Sequence, residues 1–138
     1  MTTDKDLLKR KIVQIERSLR RISQKMPMEL ADFERDYDAQ DIVFRNFQLA
    51  VQNCVDMAAH IAVNNSLPAP ARMAEAFEIL AERGWLGKPL TEDLRNLTAL
   101  RNILVHDYTR IEAERAYPLI QKALVTIPQF CNAALKIS

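Results

Sequence analysis

Leu8, Ile12, Ile15, Leu19, Ile22 and Met26 are separated alternately by four and three residues. At 3.6 residues per turn such a series forms one apolar stripe, so the spacing predicts a helix from Asp4 to Lys25. Thr3 stands where a capping residue would, with Asp6 three positions on, and Pro27 stops the pattern. The same periodicity returns along the rest of the chain. Two glycines in 138 residues leave few tight turns of the sort that sandwiches and barrels need.

Four more helices are expected. Phe44, Phe47, Val51, Cys54, Val55, Ala58, Ile61 and Ala62 mark the inner face of one from Asp41 to Asn64, ended by Asn64-Asn65-Ser66 and the Pro68–Pro70 segment. A short one spans Ala71 to Arg83, with Met73, Phe77 and Leu80 inward and Gly84 as its C-terminal stop. Pro89-Leu90-Thr91 opens the fourth, with Thr91 as cap and Leu94, Leu97, Leu100, Leu104 and Val105 as its apolar set. Thr109-x-x-Glu112 has the form of a new capping box, which ends that helix near Tyr108. The last helix carries Ile120, Ala123, Leu124, Ile127, Phe130 and Ala134, with a kink expected at Pro128. The fold class is therefore all-α, an up-and-down bundle of about five helices in a single domain over residues 1–138.

Composition narrows the function classes. About half the residues are apolar and 27 % are charged, which suits a folded, water-soluble chain. No apolar run reaches the roughly 20 residues of a membrane span, and Met-Thr-Thr-Asp-Lys-Asp lacks a signal-peptide pattern, so a cytoplasmic protein without a membrane partner is expected. Cys54 and Cys131 fit no metal-ligand spacing and read as reduced, buried small hydrophobes. There is no Glu-x-x-His pair and no Cys/His cluster, so neither a metal site nor a cofactor is expected.

A net charge of +1 gives no reason by itself to invoke nucleic acid. The distribution is uneven, however. Residues 4–25 hold Lys5, Lys9, Arg10, Lys11, Arg17, Arg20, Arg21 and Lys25 against Asp4, Asp6 and Glu16, whereas residues 29–41 hold six carboxylates against Arg35. A basic helix can steer a polyanion, and it can equally be a solvated face beside an acidic loop.

The segment Arg101-Asn102-Ile103-Leu104-Val105-His106-Asp107-Tyr108 concentrates the chemistry. Arginine binds phosphate through two parallel donors, and imidazole moves protons near neutrality. Together they suit RNA cleavage: a base for the ribose 2′-hydroxyl, a cation for the crowded phosphorus and an acid for the leaving oxygen. Asn102 lies one turn before His106 and can orient the ring or donate to the phosphate. On a helix Arg101 and His106 are about 140° apart, awkward for one compact site unless a second copy completes it. A structural role stays open, since histidine complements a helix C-terminus and Arg101 can be a surface ion-pairing group. His60 reads as a buried or rim histidine, Asp56 as an ion pair or a contact of the Arg101 region, and Trp85 as packing rather than base stacking.

Arg101-x4-His106-x-Tyr108 resembles the Arg-x4-His motif of the HEPN superfamily, in the longer form found in HEPN toxins of bacterial HEPN–MNT (minimal nucleotidyltransferase) toxin–antitoxin pairs. Asp56-Met-Ala-Ala-His60, Ala74-Glu-Ala-Phe77 and the Leu94–His106 helix follow in that family's order, so the likeness covers roughly residues 40–135. The resemblance implies a homodimeric toxin, a metal-independent endoribonuclease cleaving an RNA substrate at a cleft between chains. Arg101 and His106 would be catalytic and Asn102 would support them. It further implies a nucleotidyltransferase antitoxin that silences the toxin by transferring AMP to Tyr108. The alternative within the same likeness is a non-catalytic helical subunit that binds a nucleotide or partners a nucleotidyltransferase; outside it stands a plain helical adaptor.

Overall fold

The computed structural model of the chain describes residues 4–106 and 113–137. Among these residues there are six helices and no strands: α1 (Asp4–Lys25), α2 (Leu30–Arg35), α3 (Tyr37–Asn64), α4 (Glu75–Glu82), α5 (Lys88–His106) and α6 (Ala113–Ile137). The fold is the expected all-α bundle. α3 is its centre, packed against α1, α2, α4, α5 and α6. Its inner face from Val43 to Ala62 is almost wholly buried.

α1 has the boundaries that its apolar spacing predicts. Leu8, Ile15 and Ile22 are buried, and Ile12 and Leu19 close the edges of the stripe. Thr3, the expected cap, lies outside the described residues.

The acidic stretch holds an unexpected helix. α2 is six residues long and has one apolar anchor, Phe33, too little periodicity to be read from sequence. Phe33 meets Phe44 edge-on at 5.7 Å and Tyr117 at 5.4 Å between ring centroids. The Tyr117 hydroxyl shares its proton between the carbonyls of Pro27 (2.6 Å) and Met28 (2.8 Å), tying α6 to the turn before α2. α3 then starts at Tyr37, four residues before the expected Asp41, because the Asp36 carboxylate accepts from the Ala39 amide at 3.0 Å and caps the helix there.

Two helix ends close in the same way. After α4 the amides of Gly84 and Trp85 return to the carbonyls of Ala81 (2.9 Å) and Leu80 (3.1 Å), with Gly84 at φ +78. After α3 the amides of Ser66 and Leu67 return to Val63 (3.1 Å) and Ala62 (2.9 Å), and here Ser66 takes the left-handed position at φ 59. Both are Schellman closures, which ordinarily take glycine.

Two expected starts are displaced. Residues 71–74 precede α4 rather than belonging to it, and the Glu75 carboxylate turns back to accept from the Ala71 amide at 3.1 Å. α5 begins at Lys88, so Thr91 is already inside it; its hydroxyl donates to the Gly87 carbonyl at 2.9 Å instead of capping. Along α5, Leu94, Leu97, Leu100 and Leu104 are buried, but Val105, turned about 100° from Leu104, is exposed.

α6 remains helical through Pro118 and Pro128. Phe130 from α6 meets Phe77 from α4 edge-on at 5.3 Å. Cys54 and Cys131, distant in sequence, are both free, buried and within hydrogen-bonding reach of each other between α3 and α6. That hydrogen bond, with burial, pushes the Cys54 thiol well above the ordinary range, and it lowers Cys131.

Candidate active site

α5 delivers the polar residues of the motif because its leucines fix its rotation. With Leu97, Leu100 and Leu104 locked into the core, Arg101 and Asn102 fall at the edge of the buried face and His106 falls on the exposed one. The helix is regular to His106, the last described residue before position 113, so the angle of about 140° between Arg101 and His106 stands. They are also about 7.5 Å apart along the axis. In one chain they do not form a compact pair.

Arg101 reaches across to α3. Its Nη2 donates to Gln52 Oε1 at 2.9 Å, and its Nη1 donates to Asn102 Oδ1 at 3.1 Å and approaches Met73 Sδ at 3.2 Å. Gln52 Nε2 in turn donates to Asp56 Oδ1 at 2.9 Å. Lys11 on α1 meets the other oxygen of Asp56 and also Asn53 Oδ1, each at 3.4 Å. Three helices are thereby linked through one polar chain, Arg101–Gln52–Asp56–Lys11. Asp56 is thus both an ion pair and, through Gln52, part of the Arg101 surroundings.

The charge arrangement is informative. Among the described residues every group that accepts from Arg101 is neutral, and the nearest carboxylate of this network stands one residue further out, already engaged by Lys11. Arg101 Nε is buried with no hydrogen-bond partner among the described residues. A guanidinium oriented by neutral acceptors keeps its full charge for an incoming anion. Sequence reading missed Gln52. Its only signal was position, one helical turn before Asp56 on the same face.

Asn102 spends its side-chain oxygen on Arg101, so it holds the arginine rather than offering that oxygen to the His106 ring. Around His106 the last turn of α5 displays Ile103 and Val105, 43 % and 44 % exposed. Tyr108 and the Thr109–Glu112 capping box lie outside the described residues.

His60 is apart from this network. Its Nε2 lies 3.2 Å from Asp4 Oδ1 and 2.9 Å from Asn64 Nδ2, beside a cavity of about 190 Å³ between the start of α1 and the end of α3. It is a rim histidine. Trp85 packs on the core and carries the Arg83 guanidinium 5.3 Å from its ring centre. Among the described residues no group of three or more His, Cys, Asp or Glu side chains could hold a metal ion.

The helical bundle that carries these residues is shared with known proteins. Residues 15–134 match the family model of HepT-like ribonucleases. The chain belongs to the HepT-like ribonuclease family. It is 32 % identical over 127 residues to the mRNA nuclease HepT of Shewanella oneidensis, covering 92 % of this chain and 95 % of that protein. Among solved structures it is similar to a toxin–antitoxin complex with AMP-PNP, with a TM-score of 0.86 and 30 % identity over 94 % of this chain and 98 % of that one. It is equally similar to the tri-AMPylated HEPN toxin of Shewanella oneidensis in complex with its MNT antitoxin, with a TM-score of 0.86 and 31 % identity over 93 % and 96 % of the two chains. These HepT-like relatives confirm the resemblance carried by Arg101-x4-His106-x-Tyr108 at the level of the family.

Proposed function

We propose that this chain is the toxin of a HEPN–MNT pair, an endoribonuclease that cuts mRNA in the cytoplasm without a metal and works as one HEPN domain over residues 1–138. The observation that carries the proposal is the Arg101 guanidinium, oriented by Gln52 and Asn102 and matched by no carboxylate among the described residues. Phosphate is the ligand such a fork suits. Two copies associate through the exposed turn of α5 around Ile103 and Val105, which brings two Arg101–His106 sets to one cleft. This removes the difficulty that the two residues diverge within one chain.

In that cleft one His106 takes the proton from a ribose 2′-hydroxyl. The freed oxygen attacks the adjacent phosphorus, forming the cyclic phosphate and breaking the bond to the 5′ oxygen. The second copy's His106 returns a proton to that leaving oxygen. Arg101 stabilises the charge that builds on the phosphate oxygens, and Asn102 keeps Arg101 in place.

The partner is a nucleotidyltransferase antitoxin, as in the complexes of the relatives. It silences the toxin at Tyr108: the phenol oxygen attacks the α-phosphorus of ATP, pyrophosphate leaves, and the phenol loses its proton. The added phosphate repels RNA and competes for Arg101.

The deciding experiment compares the wild-type protein with Arg101→Ala and His106→Ala on mRNA, each checked for helical content. Cleavage that disappears in both folded variants and persists in chelator is expected. Full cleavage by the folded double variant overturns the proposal, and wild-type protein that binds ATP but cuts no RNA favours the non-catalytic subunit instead.

A further inference from the structure

The basic face of α1 is left unused by the site as described. Between α1 and α3 runs a groove of about 380 Å³, lined by Gln14, Arg17, Ser18 and Arg21 from one helix and Asn46, Leu49 and Asn53 from the other. None of these is a carboxylate, and one is apolar. Neither Arg17 nor Arg21 has a carboxylate partner among the described residues. They stand one turn apart, about 6 Å along the helix, a spacing suited to neighbouring phosphates on one strand.

Hydrogen bonds join the groove to the Arg101 network. Asn53 lies in the groove and accepts from Lys11, and Lys11 also holds Asp56, which is joined through Gln52 to Arg101. With Asn53 Oδ1 occupied by Lys11, its amide nitrogen is left to donate. The residues that join the groove to Arg101 are cationic or neutral apart from Asp56, whose oxygens are taken by Lys11 and Gln52.

We infer that the α1–α3 groove binds the phosphate backbone of the single-stranded RNA that feeds the Arg101 site, with Arg17 and Arg21 on successive phosphates. This rests on the ribonuclease proposal and extends it to the substrate's path. A protein partner would be expected to find an apolar centre, and Leu49 alone does not make one. Cations interleaved with neutral amide donors suit a sugar–phosphate chain and carry no sequence preference.

The test measures binding of a fluorescent single-stranded RNA to His106→Ala protein at several salt concentrations. Adding Arg17→Ala and Arg21→Ala is expected to raise Kd about tenfold and to flatten the plot of log Kd against log salt by about 1.4, the value for two lost contacts on a single strand. Arg17→Lys with Arg21→Lys retains most of the binding. Arg20→Ala, on the same helix but lining the α6 side with Leu124 and Pro128, leaves Kd unchanged and shows that net charge alone is not responsible. With His106 restored, the groove variant keeps its kcat and loses in KM.

An unchanged Kd and salt slope in a folded Arg17→Ala/Arg21→Ala protein overturns the inference. So does a variant that binds RNA normally but no longer binds the nucleotidyltransferase, which would make the groove a protein interface. If wild-type protein cuts RNA and the groove variant cuts with unaltered KM, the inference fails alone; if wild-type protein neither binds nor cuts RNA, both fall.

Discussion

Gln52 and Arg101, on different helices, are joined by a 2.9 Å hydrogen bond in which a neutral amide oxygen orients a cation. The choice of an amide matters. A carboxylate in its place would orient the guanidinium equally well and cancel its charge.

Gln52→Glu is therefore expected to be more damaging than its size suggests. The new carboxylate would pair with Arg101 and crowd Asp56, and RNA cleavage should fall about 100-fold with helical content retained. Gln52→Ala should fall less, about tenfold, because the charge survives while the orientation loosens. Steady-state cleavage of one RNA by the three proteins checks the order. Equal activity in all three would mean that Arg101 needs no positioning.

Ile103 and Val105 give a test of the composite site. Replacing both with Asp puts charges on an exposed helix turn without touching the buried leucines. The variant should stay folded, sediment as a monomer and lose cleavage. A monomeric variant that still cuts would show that one chain suffices.

Tyr108 has its own readout. Co-expression with a cognate nucleotidyltransferase should raise its intact mass by whole AMP units, and Tyr108→Phe should abolish the shift while leaving cleavage in place. An unchanged wild-type mass under those conditions removes AMP transfer without touching the nuclease.

Ser66 offers a prediction about stability alone. It holds φ 59 at the Schellman closure of α3, a conformation that disfavours any side chain. Ser66→Gly should stabilise the fold by about 1 kcal/mol, seen as a higher denaturant midpoint with unchanged cleavage. A lower midpoint would mean that the serine makes a compensating contact.

The long helices were legible because each buries a stripe whose spacing is fixed by the helical turn. Leu8 to Met26 defines α1 to the residue, and the α5 leucines set the rotation of Arg101 and His106. What escaped was decided by single contacts. α2 depends on Phe33 reaching Phe44 and Tyr117, which come from distant parts of the chain. The start of α3 depends on one Asp36 carboxylate, and that of α5 on a helix entered before the threonine that looked like its cap. The site divides in the same way. Arg101, Asn102 and His106 share one local motif, whereas Gln52 belongs to the site only because α3 passes beside α5. A pattern within a helix is local information; a hydrogen bond between helices is not.

The chain Arg101–Gln52–Asp56–Lys11 has a consequence for timing. Its members are held by helices that fold around the common core, so the arginine is set as soon as the bundle has formed. Its orientation then precedes any substrate and needs none to organise it. On the proposed composite site, restraint would then act on the pairing of two copies or on access to the cleft between them, by a bound protein or a bulky group on its rim.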